Sequence, residues 1–401
     1  STDETSEIID EHVRKYTSQG LDIKRITRKN RDGYKAGALA YGTQIAKGDF
    51  IAIFDADFVP DKNFLKDTVG FFEDPHIGMV QTRWTHLNEK YSLLTKMQAI
   101  GLDAHFNIEQ SGRNTGGHFI NFNGTAGIWR KACIMDAGGW MDDTLTEDLD
   151  LSYRAQLKGW NFKYLESCAS PAELPAEINA LKTQQYRWNK GAAECSRKNL
   201  AHVLKNKHID WKTKFFASFH LLNSSIFICI LITALLSLPI LLIKHNNIEY
   251  ALLFKIAGIY LLGLFFISFF YFISYRQQHS VIGLGLFRFC RDYFLFLSIS
   301  MGLSAHNGIA ALEGWMGKKT PFVRTPKLRV EHSSEKWNGN IYLSRHLSPL
   351  IILETFLFLY SCGTLVYAIN SADYGLVPFL IMLAVGFGYV SILTIRHHYA
   401  R

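Results

Sequence analysis

Six cysteines are scattered along the 401-residue sequence, at positions 133, 168, 195, 229, 290 and 362, and no two form a Cys-x-x-Cys pair. That spacing argues against a zinc ribbon and a disulfide framework and makes a reducing compartment the default. Internal repeats and low-complexity tracts are missing too, so the chain is neither a solenoid nor a linker. The first 210 residues have no basic stripe interleaved with aromatics. The net charge of +8 therefore does not point to nucleic acid.

What the sequence has is apolar and aromatic residues, 48% and 14% of the chain, with 29 Phe and 18 Tyr. They are unevenly placed. Residues 1–210 are mixed in charge and polarity, whereas residues 214–395 contain long apolar stretches, and this shift marks the main domain boundary. Four stretches, about 215–243, 251–274, 347–369 and 376–395, are long enough to span a bilayer. A fifth, 286–312, is apolar but carries Arg288, Arg291, Asp292, His306 and Asn307. Lys205, Lys207, Lys212 and Lys214 precede the first stretch, and Arg276, Arg288 and Arg291 follow the second. Segment 318–345 holds Lys318, Lys319, Arg324, Lys327, Arg329, Lys336 and Arg345. The positive-inside rule then puts 1–214, 275–346 and 396–401 in the cytoplasm, against anionic lipid. Both flanks of 286–312 fall on that side, so it is expected as an interface helix. A fifth crossing would export the most basic loop.

In the first half, Ser1-x-x-Glu4 reads as a capping box opening a helix with Ile8, Ile9, Val13 and Tyr16 on one face. A short strand is expected near Ile23–Ile26, a helix over Ala36–Ile45, strands at Phe50–Phe54 and Met79–Arg83, and a helix over Leu93–Gln110. Alternating strands and helices predict an α/β domain with a mostly parallel sheet and helices on both faces. A doubly wound domain starts with a strand. This sequence starts with a helix, so a leading strand is expected upstream.

Asp55-Ala56-Asp57 closes the apolar run Phe50-Ile51-Ala52-Ile53-Phe54, where open α/β sheets bind ligands. Carboxylates at i and i+2 are hard ligands for Mg²⁺ or Mn²⁺ when a diphosphate completes the shell. In Thr146-Glu147-Asp148, Thr146 is placed to cap a helix beginning at Glu147. The helix N-terminus is expected to hold the carboxylate ionised, ready to accept a proton. Gln184, Arg187 and Trp188 stand at i, i+3 and i+4 on a helix expected from Ala176 to Asn199. Amide, guanidinium and indole together suit a sugar phosphate and a pyranose face.

The order D-x-D, T-E-D, Q-x-x-R-W ahead of membrane spans resembles the membrane-integrated processive glycosyltransferases of family 2. These include cellulose synthases, cellulose-synthase-like mannan and glucan synthases, and hyaluronan synthases. The resemblance implies a cytoplasmic GT-A (Rossmann-like) domain over 1–210 with Mg²⁺ or Mn²⁺. It also implies a membrane domain over 211–401 that receives the growing polymer. Asp55 and Asp57 resemble the metal-binding pair, and Asp148 the general base, with Glu147 beside it. In Gln184, Arg187 and Trp188, the indole would lie under the acceptor sugar and the guanidinium near the donor phosphates. Lys35, in Tyr34-Lys35-Ala36-Gly37, resembles the segment near the diphosphate. Phe122-Asn123-Gly124-Thr125-Ala126-Gly127 resembles the acceptor-lining segment, with Asn123, Gly124 and Thr125 closer to the mannan and glucan synthase-like branch. Phe322-Val323-Arg324-Thr325-Pro326-Lys327 resembles the gating loop, Phe322, Thr325 and Lys327 matching and Arg324 standing where the family often has Val.

The reaction so implied is inverting transfer of a sugar to a β-linked polysaccharide, with UDP-glucose the first choice of donor and GDP-mannose the second. Non-processive transfer to a membrane lipid shares the D-x-D and Q-x-x-R-W sites. The family's upstream acidic motif and N-terminal spans are not in the sequence, so a truncated, inactive fragment is also an expectation.

Overall fold

The computed structural model describes residues 4–332, 334–337, 343 and 347–400. Ser1 of the expected capping box and Arg345 lie outside the described residues. The first half runs α1 (Thr5–Ser18), α2 (Tyr34–Ile45), β1 (Phe50–Ile53), α3 (Phe64–Val69), β2 (Ile77–His86) and α4 (Leu93–Ala104). It continues through α5 (Ser111–Thr115), β3 (Gly127–Arg130), α6 (Lys131–Asp136), α7 (Glu147–Leu157), β4 (Asn161–Ala172) and α8 (Ile178–Lys205). The second half is α9 (Trp211–Leu221), α10 (Ser225–Asn246), α11 (Ala251–Ala257), α12 (Leu261–Gln278), α13 (Leu284–Gly302), α14 (Ser304–Met316), α15 (Leu350–Asn370) and α16 (Val377–Tyr399).

The strands form one sheet in the order β1-β3-β2-β4. The sheet is mixed rather than mostly parallel: β3 is antiparallel to both β1 and β2, and only β2 and β4 are parallel. This reversal matters for the site. Ile53, at the end of β1, pairs with Gly127, at the start of β3. The chain entering β3, Asn123–Ala126, is therefore delivered to the same sheet edge as Asp55 and Asp57. Beneath it the core is aromatic, with Trp129 edge-on to Phe122, Trp140 and Phe162 at ring separations of 5.2–5.8 Å.

One further expectation fails at the N-terminal side. Ile23–Ile26 is not a strand; no neighbouring strand pairs with it, and four residues without a ladder do not hold an extended form. Helix α1 forms, but none of its residues is buried, and Ile8 and Ile9 face outward.

Among the described residues of the second half three helices, α10, α15 and α16, are long and apolar enough to cross a membrane, or four if the bent pair α13–α14 counts as one span. The expected second span, 251–274, is not one helix. It breaks at a 3₁₀ turn, Gly258–Tyr260, between α11 and α12. Glycine there weakens the helix, and Arg276, Gln277 and Gln278 dilute the apolarity of α12. The expected interface helix 286–312 is two helices bent by 50°. Large apolar side chains on α10, α12 and α15, among them Ile226, Phe265, Phe266, Ile352 and Leu359, face outward as in a lipid-exposed surface.

Candidate active site

The first carboxylate is fixed by its backbone. Asp55 N–H donates to Thr125 Oγ1 (2.8 Å), and Ala126 N–H donates to Ile53 O (2.8 Å), which stitches the D-x-D turn to the segment entering β3. Lys35, at the start of α2, reaches across both: its Nζ is 2.7 Å from Asp55 Oδ1 and donates to Gly124 O (2.9 Å). Gly124 has φ +81°, and a Cβ there would sit 3.0 Å from Asp148 Oδ2 and 3.5 Å from Lys35 Nζ. Glycine is thus required for both the left-handed backbone and the close approach. Lys35, Asp55, Gly124, Thr125 and Asp148 form one cluster.

Asp148 and Glu147 open α7, as expected, but Thr146 does not cap it through its side chain. Thr146 Oγ1 instead faces Cys195 Sγ at 3.4 Å. The expected pull of the helix N-terminus toward the anion is opposed by burial at both carboxylates. Burial raises Asp148 above the ordinary carboxylate range, opposed by the Lys35 ammonium and by Leu149 N–H, which donates to Asp148 Oδ1 (2.9 Å). Glu147 is pushed up to about 7 by burial and by the neighbouring Asp148 charge. Desolvation outweighs the helix dipole at both positions.

Helix α8 is capped by Glu177, whose carboxylate accepts from Ala180 N–H (2.8 Å). It lies hard against the start of α7: a Cβ on Gly191 would meet Thr146 N at 2.9 Å. The Q-x-x-R-W face divides in two. Gln184 and Trp188 line a cavity of about 190 Å³ with Met97, Gln98, Leu102 and Asn307, between α4, α8 and the α13–α14 pair. Arg187 turns the other way, where burial lowers its pKa against the pull of Glu147, Asp55 and Asp148, and it stacks 4.7 Å from the Phe322 ring.

Phe322 belongs to the chain after α14, which returns across the first half. Its ring stacks on Tyr34 (5.4 Å), and Lys327 Nζ is 2.7 Å from Asp57 Oδ2 and donates to Glu173 O (2.6 Å). The Glu173 carboxylate accepts from the N–H groups of Leu328, Arg329 and Val330 at 3.1–3.4 Å. Thr325 Oγ1 is buried without a partner.

Sequence reasoning missed Glu173 and Tyr34, which hold this loop. The available signal for Glu173 was an acid inside the otherwise uncharged run from Ser167 to Pro175. It missed also the polar network of His105, Glu109 and Arg113, because the π-helical turn His105–Gln110 that builds it has no sequence signature.

Among the described residues no group of three His, Cys, Asp or Glu side chains could hold a metal. The two carboxylates, each already facing an ammonium, suit a divalent ion that draws its remaining ligands from phosphate and water. The orphaned Thr325 hydroxyl and the Lys35 and Lys327 ammoniums suit the phosphates themselves.

Residues 1–191 match the family model described as glycosyltransferase like family 2. Similar curated proteins include Glucomannan 4-beta-mannosyltransferase 2 of Arabidopsis thaliana, 40% identical over 233 residues, 57% of this chain and 43% of that protein. A probable glucomannan 4-beta-mannosyltransferase 4 of Oryza sativa subsp. japonica is 42% identical over 227 residues, 55% of this chain and 40% of its own length. The chain thus spans about 40% of the length of these relatives. A solved mannosyltransferase from Pyrobaculum calidifontis, in complex with GDP-Man and Mn²⁺, is similar over 80% of this chain and 76% of its own, at 13% identity and a TM-score of 0.46. Over residues 1–191 the chain is thus similar to the glycosyltransferase like family 2.

Proposed function

We propose that the chain is an inverting hexosyltransferase that moves mannose from GDP-mannose to the end of a β-1,4-linked mannan or glucomannan. Its domain 1–210 works at the cytoplasmic face, and the helices of 211–401 take up the product. The sequence alone put UDP-glucose first. Relatives named as glucomannan mannosyltransferases at 40–42% identity favour GDP-mannose instead.

The observation that carries the reading is the convergence of Lys35, Asp55, Gly124 and Asp148 on one sheet edge, with Arg187 of the Gln184–Trp188 helix turned toward the same carboxylates. Asp148 is the base. Burial strengthens it and Lys35 keeps it available as the anion, so it takes the proton of the acceptor hydroxyl as that oxygen attacks the anomeric carbon. Attack opposite the leaving group gives the β-linkage. Lys35, Arg187, Lys327 and the Thr325 hydroxyl meet the diphosphate. A divalent ion at Asp55 and Asp57 would offset charge on the leaving group. Trp188 offers its ring to the acceptor sugar. The loop pinned by Glu173 and Phe322 covers the site and keeps water from competing with the acceptor.

The test supplies the full chain in lipid vesicles with labelled GDP-mannose or UDP-glucose. Polymer is expected from GDP-mannose, and chelation of divalent ions should stop it. Asp148→Asn should cut transfer by roughly 10²–10⁴-fold with donor binding retained. Polymer from UDP-glucose alone, or equal loss of donor binding in the variant, would overturn the donor and the base respectively.

A further inference from the structure

A buried polar network stands behind Asn123 and settles which way its carboxamide faces. It starts at Glu109, in the π-helical turn His105–Gln110. Glu109 Oε1 pairs with Arg113 Nη2 at 3.2 Å, and Glu109 Oε2 is 2.8 Å from His105 Nδ1. From these two contacts two arms run to the same atom. Arg113 Nη2 donates to Asn121 Oδ1 (3.4 Å), and Asn121 Nδ2 donates to Asn123 Oδ1 (2.8 Å). On the other arm His105 Nε2 stands 3.3 Å from Asn123 Oδ1.

The polarity of the first arm is not free to reverse. A guanidinium can only donate, so the oxygen of Asn121 must face Arg113 and its nitrogen must face Asn123. The oxygen of Asn123 is thereby turned inward, and its Nδ2 is the atom left over. That nitrogen is buried and has no hydrogen-bond partner. An unmade bond at a buried amide costs about 1–3 kcal/mol, and beside Asp148 a sugar hydroxyl is a group that would complete it. The backbone on which it sits is fixed as well: Asn123 N–H donates to Gln81 Oε1 (3.0 Å), and the next residue, Gly124, is the one that packs on Asp148.

We infer that Glu109, His105, Arg113 and Asn121 are positioning residues that hold the Asn123 amide as a hydrogen-bond donor to a hydroxyl of the acceptor sugar beside Asp148. None of the four touches substrate. They act through Asn123, so the network sets acceptor orientation and leaves donor handling to Lys35, Lys327 and the carboxylates. This rests on the transferase reading proposed above.

The experiment measures two rates on the full chain in vesicles: transfer to a β-1,4-mannooligosaccharide and hydrolysis of the donor by water. Asn121→Asp preserves size and still accepts from Arg113, but it presents an acceptor to Asn123 and forces its amide to turn. Transfer should fall roughly 10–100-fold, as for a misplaced reactant, with donor KM and donor hydrolysis unchanged. His105→Gln, whose amide can still donate to Asn123 Oδ1, should retain more transfer than His105→Leu. Native transfer and acceptor KM in Asn121→Asp overturn the inference, as does a parallel loss of donor hydrolysis, which would mean that the network only holds the fold. Failure of the unsubstituted chain to use any nucleotide sugar would instead overturn the transferase reading, and this one with it.

Discussion

At the scale of single residues, the motif positions were legible because their chemistry is tied to type and spacing. Asp55, Asp148 and Gly124 lie close together in the fold. Their protonation was not legible. The helix N-terminus argues for ionised carboxylates, and burial, which no local pattern reports, pulls the other way. Glu147 shows the consequence most simply. Its folded-state pKa of about 7 lies above the ordinary value of 4.5. The folded state then binds a proton more tightly than the unfolded state, and stability falls as pH rises from about 4.5 through 7. The fall amounts to at most roughly 3 kcal/mol. Glu147→Gln carries no such proton. Thermal unfolding of the detergent-purified protein between pH 5 and 8 should show a midpoint that drops with pH in the native chain and a flatter profile in the variant.

At the scale of elements, the period of hydrophobic residues located helices well and strand direction not at all. Strand β3 is only four residues long, and nothing in Gly127–Arg130 reveals that it runs against its neighbours. The second expected span is interrupted for a related reason: overall apolarity of 251–274 hid the turn at Gly258. Close helix contacts are equally silent in sequence, since they depend on which glycine faces which backbone. Gly302 of α13 and Gly386 of α16 face each other, and a Cβ on Gly386 would collide with Ser298 O. Small residues let apolar helices approach until their backbones touch. Gly386→Ala should therefore force α13 and α16 apart and lower the thermal midpoint. Gly363→Ala, where an added Cβ meets nothing within 4 Å, should leave it unchanged or raise it slightly. Melting curves of the two variants in the same detergent check this.

At the scale of the molecule, the boundary near residue 210 that composition suggests is bridged by packing between the two halves, and helix α8 makes much of it. Helix α8 carries Gln184, Arg187 and Trp188, packs on Thr146 through Gly191, and touches α14, where a Cβ on Gly314 would lie 2.7 Å from Ala193 Cβ. It is also bolted to the apolar helices. Lys182 Nζ donates to both oxygens of Glu354 in α15 (2.7 and 2.8 Å) and to Thr394 Oγ1 in α16 (2.8 Å), and Lys182 O faces His306 Nε2 at 2.8 Å. Lys182 and Glu354 are both buried. Two charges taken from water recover their solvation chiefly from each other, so removing one strands the other. Glu354→Leu should destabilise by about 3–5 kcal/mol. The double variant Lys182→Met/Glu354→Leu should regain most of that loss, because a well-packed apolar pair carries no desolvation cost. The separation between stability and transfer is then informative. If the bolt also sets the height of Trp188 over the cavity, the double variant will melt like the native chain and still transfer sugar more slowly, since Thr394 no longer fixes α8 two residues before Gln184. A double variant that matches the native chain in both midpoint and transfer rate would reduce the bolt to a structural element.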